Sequence, residues 1–315
     1  MIAKMLAAGL MLLATAAAAP RYEPTGPIER KYAADGPWAT SVTVSGAACD
    51  CEGNVCDIWY PTDLGSNPLR GERTSFRHPV IVFANGTADS VPADKNAAFL
   101  RHLASWGFVV VRSRDGWTGG GETVVDATRY ILGQGTEPGS PFFDRIDSDR
   151  VGLTGHSQGA GTAVKLFAEQ NRLFATYVPI STPERPVCII AGCAPPLASL
   201  PTVARGSIFY VSGHVDVVSP LPVNLGYYVP TANGVDKALG MITLGSHTEI
   251  EGNPDCAAGG LPASCNVGVY PLLGYPTAWF MWKLQDAADG PAAFRREGEL
   301  AHAAPNWLGY VSNIR

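Results

Sequence analysis

The pentapeptide Gly155-His156-Ser157-Gln158-Gly159 constrains this chain more than any other segment. A short apolar strand, residues 151–154, runs into it, and a helix over residues 158–169 runs out of it. At so tight a strand-to-helix turn the serine takes up strained backbone and its hydroxyl projects from the end of the sheet, while the flanking glycines let strand and helix approach closely. That is the setting of a nucleophile elbow. With 35 glycines in the chain, the bare Gly-x-Ser-x-Gly pattern arises readily by composition, so its weight comes from the segments around it.

Apolar runs of strand type recur at 39–44, 57–60, 79–83, 108–112, 151–154, 175–180, 207–211 and 241–244. Helical spacing recurs at 95–105, 122–132, 158–169 and 277–284. The first two strands read as antiparallel edge strands, and the later ones as the continuous apolar runs of buried parallel strands. Strands alternating with helices give an α/β class: a mostly parallel central sheet with helices on both faces, and ligands at the carboxyl edge of the strands. Residues 39–315 are expected to form one domain. Residues 19–38, rich in proline, glycine and charge and without an apolar period, read as an extended N-terminal arm.

Residues 1–18 have the layout of a secretory signal peptide, with Lys4 as the positive end, residues 5–13 as the apolar core and small residues from Ala14 to Ala19. The apolar run falls short of the roughly 20 residues that cross a bilayer, and no later run qualifies, so stable membrane insertion is not expected. The expected location is secreted or periplasmic. The chain carries 23 Lys and Arg against 28 Asp and Glu, a net charge of −5, with no basic cluster. That balance argues against nucleic acid as a partner and leaves neutral small-molecule or polymeric substrates, met by a monomer.

There are seven cysteines, and an oxidising compartment favours disulfides over free thiols. Spacing suggests Cys188 with Cys193, Cys256 with Cys265, and Cys56 with either Cys49 or Cys51, leaving one of those two over. No Cys-x-x-Cys or His-x-x-x-His pair accompanies them, so no metal site is expected.

An elbow serine needs a base, and the base needs an acid to fix its tautomer; where a serine triad stands on such a sheet, the order after the serine is acid, then histidine. Two positions fit. Strand 207–211 runs into Ser212-Gly213-His214-Val215-Asp216, and strand 241–244 into Gly245-Ser246-His247. With parallel strands, both loops share the edge of the elbow, giving Ser157, His247 and Asp216 as nucleophile, base and acid. Asp147 and Asp149 precede the elbow strand and point from its opposite end; His214 is the rival base. Developing negative charge on an oxyanion then has two backbone donors, the N–H of Gln158 and that of Thr87 in the turn Asn85-Gly86-Thr87. No cofactor is required.

Gly86-Thr87, the stretch from Leu103 to Val111, the elbow pentapeptide and Gly245-Ser246-His247 together resemble the bacterial cutinase-like and polyester-hydrolase enzymes and the related chlorophyllase and dienelactone-hydrolase-like group. Trp59-Tyr60-Pro61-Thr62 and Thr277-Ala278-Trp279-Phe280 fit the same group, and the resemblance spans residues 36–310. It implies an α/β-hydrolase fold with minimal or no lid. The implied activity is that of a secreted serine carboxylic-ester hydrolase acting through an acyl-enzyme on short to medium acyl esters, with polyesters in reach. An acyltransferase, a thioesterase or a non-catalytic binding protein would use the same scaffold. Two departures bear on specificity: the polyester hydrolases carry an aromatic residue where this chain has Thr87 and a hydrophobic one where it has Gln158. Trp117, or the pair Tyr227 and Tyr228, is the replacement for that lost apolar surface.

Overall fold

A computed structural model describes residues 22–87, 94–256 and 265–315, so the leader at 1–18 lies outside the described residues. Within them nine strands form one sheet. They are β1 (Thr40–Val44), β2 (Cys56–Pro61), β3 (His78–Ala84), β4 (Val109–Ser113), β5 (Ile146–His156), β6 (Thr176–Ile180), β7 (Ser207–Gly213), β8 (Asp236–Ile242) and β9 (Trp307–Ser312). Their order is β1-β2-β4-β3-β5-β6-β7-β8-β9. The pairs from β4 through β3, β5, β6 and β7 to β8 are all parallel. β2 is antiparallel to both β1 and β4, and β9 is antiparallel to β8. The fold is therefore mixed α/β with a mostly parallel sheet.

Nine α-helices surround it among the described residues: α1 (Pro27–Ala33), α2 (Ala97–Ser105), α3 (Glu122–Gln134), α4 (Gln158–Ala168), α5 (Arg185–Ile190), α6 (Leu221–Tyr228), α7 (Tyr270–Leu273), α8 (Tyr275–Gln285) and α9 (Gly290–Phe294). Successive side chains of a strand point to opposite faces, and the core divides accordingly. Ile81, Phe83, Phe108, Val110, Phe209 and Val211 pack with α2, α8 and α9 on one face. Val80, Val82, Val109, Val111, Val151 and Leu153 pack with α3 and α4 on the other. Both faces being covered explains why the central strands read as unbroken apolar runs.

Three expectations need correction. The supposed extended arm contains α1, which docks on the body through buried Glu29 and Tyr32 with Ile28 half-buried against the core; so short a helix, with a charged residue among those it buries, leaves no apolar period to read. Glu29 accepts bonds from Tyr22, Thr25 N–H and the Trp307 indole. The strand placed at 241–244 is β8, ending at Ile242, and Leu244 already lies in a turn at φ 59°. Finally, β2 is not an edge strand, since it lies between β1 and β4.

Candidate active site

β5 delivers Ser157 to the carboxyl edge and α4 starts at the next residue. Ser157 has φ 52° and ψ −116°, a conformation that costs a non-glycine residue of order 1–3 kcal/mol and persists only where the surroundings enforce it. Here they do: the Ser157 N–H donates to Ile180 O at 3.1 Å, and its carbonyl accepts the first turn of α4 from Gly161 N–H at 3.0 Å. A Cβ on Gly159 would stand 2.1 Å from Ala84 O, so only glycine lets α4 approach the end of β3 this closely. The first N–H groups of α4, beginning with Gln158, have no acceptor within the helix and lend positive potential beside the serine hydroxyl.

The acid and base arrive on the loops after β7 and β8. These loops are clamped together: His214 N–H donates to Ile242 O, Val215 N–H donates to Gly245 O, and a Cβ on Gly213 would lie 2.1 Å from Gly245 O. The clamp brings His247 Nδ1 to 2.9 Å from Asp216 Oδ2 and 3.1 Å from Oδ1, with His247 Nε2 at 2.9 Å from Ser157 Oγ. The three expected residues thus form one continuous hydrogen-bonded chain. His214 is exposed and takes no part in it, and Asp147 and Asp149 lie at the far end of β5.

Asp216 is 2 % exposed. Burial alone would raise its pKa, but the His247 imidazole and the N–H groups of Ser219 (2.9 Å) and Val218 (2.8 Å) outweigh it and hold the carboxyl below its ordinary range. With the carboxylate accepting at Nδ1, Nε2 is left free to accept from the serine hydroxyl. Chemically, this arrangement can move the Ser157 proton onto His247 while the charge that forms on the ring is balanced from behind. The His247 side chain is 18 % exposed, so solvent reaches the site.

The turn after β3 abuts the elbow. Asn85 O lies 2.6 Å from where a Gly159 Cβ would be, and the Asn85 amide donates to Ser113 O and Asp115 O, tying this turn to the loop after β4. Thr87, two residues on, is exposed. Trp117 stands on the neighbouring loop, 56 % exposed, beside Thr118, whose hydroxyl donates to Asn85 O. Tyr227 and Tyr228 are not its equivalents: Tyr227 is buried with its hydroxyl on Pro183 O, and Tyr228 packs against Tyr210 and Lys237.

Only two short helical segments, α5 and residues 197–202, separate β6 from β7. α5 lies beside the elbow because the Gln158 side chain donates to Ala191 O and the Cys188–Cys193 bridge rests on Gly161 of α4. It turns Ile189 and Ile190 outward, and Val215, Val217 and Leu244 are likewise exposed on the loops bearing Asp216 and His247. Together with Trp117 they give this edge of the sheet an apolar character.

Disulfides join Cys49 to Cys56, Cys188 to Cys193 and Cys256 to Cys265, leaving Cys51 free and exposed. Three bridges fit an oxidising compartment, and among the described residues no helix is long and apolar enough to cross a membrane. Glu249, Cys256 and Cys265 place potential metal-ligand atoms together, but the two sulfurs are bonded to each other and offer no thiolate. A cavity of about 450 Å³ lined by Tyr32, Arg70, Trp106 and Gln285 lies elsewhere, near the end of α8 that Arg150 of β5 contacts, and no serine or histidine lines it.

One link in the site was not legible in the pentapeptide. His156 Nε2 lies 2.8 Å from the main-chain carbonyl of His247, and the two rings are 4.9 Å apart. No protein-family model matches the chain, and no curated protein matches it either.

Proposed function

We propose that the protein is a serine carboxylic-ester hydrolase with an α/β-hydrolase fold, exported to an oxidising compartment. The observation that carries this reading is the chain Ser157–His247–Asp216, with links of 2.9 Å on either side of the imidazole, built on a serine at φ 52°. Strand order and chain order support it: the nucleophile follows β5, the acid β7 and the base the loop after β8.

Ser157 Oγ attacks the ester carbonyl while its proton passes to His247 Nε2. The tetrahedral oxyanion takes hydrogen bonds from the N–H groups of Gln158 and Thr87, one such donor being worth about 3–4 kcal/mol in the transition state. Collapse of the intermediate breaks the bond to the alkoxy group, which leaves as an alcohol with the proton from His247. Water then attacks the acyl-enzyme, His247 accepts its proton, and a carboxylic acid is released as Ser157 Oγ is reprotonated. Asp216 holds the ring and balances the imidazolium throughout.

The exposed apolar side chains Trp117, Ile189 and Ile190 support an apolar acyl or alcohol portion, and the short β6–β7 connection supports an uncapped site. The test is hydrolysis of p-nitrophenyl butyrate. Wild type is expected to turn over many equivalents and Ser157→Ala to fall to the uncatalysed rate; equal rates would reject the reading.

A further inference from the structure

Beyond the three residues of the hydrogen-bonded chain, the base loop is organised around a buried anion that the chemistry above does not use. Glu249 is 3 % exposed, two residues after His247, and no Lys or Arg pairs with it among the described residues. Its Oε1 accepts from Ser246 N–H at 2.9 Å, Ser246 Oγ at 2.9 Å and Asn266 N–H at 2.7 Å. Its Oε2 accepts from Val267 N–H at 2.9 Å and Gly268 N–H at 2.7 Å. All five of these hydrogen-bond partners are donors, so both oxygens act as acceptors, met by four main-chain N–H groups and a hydroxyl.

The two sets of partners have different origins. Ser246 is the residue immediately before His247, whereas 266–268 directly follow Cys265, which is bridged to Cys256. The Cys265 sulfur lies 3.4 Å from Oε2, and the Asn266 side chain donates to Leu244 O at 2.8 Å on the other side of the loop. The base loop is thus fastened to the disulfide segment both before and after Gly245, and the Glu249 carboxylate is the junction.

We propose that Glu249 is a positioning residue for His247, its carboxylate fixing Ser246 so that the imidazole keeps its place between Asp216 and Ser157. The proposal rests on the ester-hydrolase reading. An amide cannot substitute, because the –NH₂ of a glutamine would face at least two of the N–H donors. Displacement of a base by about 1 Å is enough to lose up to two orders of magnitude in rate without touching substrate binding.

The experiment compares wild type, Glu249→Gln and Ser246→Ala by kcat and KM on p-nitrophenyl butyrate. The concentration of reactive sites is fixed by titration with a fluorophosphonate, and thermal midpoints are recorded alongside. The expected result is a fall in kcat per titrated site of about 10- to 100-fold for Glu249→Gln with KM within about twofold, and a smaller fall of the same kind for Ser246→Ala. Should Glu249→Gln fail to fold, Ser246→Ala decides. A lowered thermal midpoint with kcat per titrated site unchanged would make Glu249 a support of the fold only and overturn the proposal. An inert wild type that does not react with the fluorophosphonate would reject the hydrolase reading and this proposal with it, whereas an active wild type with unaltered variants rejects the role of Glu249 alone.

Discussion

The imidazole of His156 donates its Nε2–H to the main-chain carbonyl of His247 across 2.8 Å. A carbonyl oxygen only accepts, so the geometry fixes the tautomer of His156. The residue before the nucleophile thereby holds the backbone of the base, and the distance between Ser157 and His247 is controlled from both loops at once.

His156→Ala is expected to lower kcat about tenfold with KM little changed, and to cost about 1 kcal/mol of stability for the lost hydrogen bond. Steady-state kinetics and thermal unfolding check this. Unaltered kcat would mean that His247 is held without His156.

Asp216→Asn keeps shape but removes the charge facing Nδ1 and permits the wrong imidazole tautomer. Turnover should fall by about 1,000- to 10,000-fold. Acid stability should respond as well. The folded pKa of Asp216 lies below that of the unfolded chain, so its contribution is complete above the ordinary carboxylate range near pH ~4 and is lost as pH falls through the lower folded value. Unfolding curves from pH 7 to pH 2 should be less steep below pH ~4 in the variant; superimposable slopes would contradict this.

Replacing Cys256 and Cys265 together by alanine opens a loop with a sequence separation of 9. The loop-entropy model gives a loss of about 2–3 kcal/mol. Because the bridge anchors the segment that Glu249 ties to Ser246, kcat should drop with stability. Chemical denaturation and kinetics on the same preparation test both parts.

Without a multi-helix cap, a long acyl chain buries little of its surface, at about 0.8 kcal/mol per CH₂ for full burial. Rates on p-nitrophenyl esters are expected to peak at short to medium chains, with no jump above the critical micelle concentration. Trp117→Ala should reduce kcat/KM more for aromatic or longer acyl groups than for acetate. A steady rise to the longest chains with interfacial activation would point to a lidded lipase.

Much of this site could be read from the chain because its parts are local: an apolar strand, a turn with glycines, and a polar residue just beyond. The sequence places β8 too far along the chain because Asp236, Lys237 and Gly240 interrupt the apolar pattern of its first residues, and Lys237 is buried only because its ammonium donates to the carbonyls of Tyr228 and Thr231. β9, which follows the last segment that the sequence pattern assigns, is an edge strand whose Leu308 and Gly309 are exposed. The roles of His156 and Glu249 depend on contacts 91 and up to 19 residues away in sequence, which no local pattern encodes. Pairing of Cys56 with Cys49 rather than Cys51 likewise follows from where β2 begins, not from spacing.

The central claim is that Ser157 is a nucleophile activated by His247. Intact-mass and peptide analysis after exposure to a fluorophosphonate tests it most directly. One adduct on Ser157 is expected in wild type, none in Ser157→Ala, and much slower formation in His247→Ala; an unmodified wild type, or an adduct on a residue other than Ser157, would contradict the account.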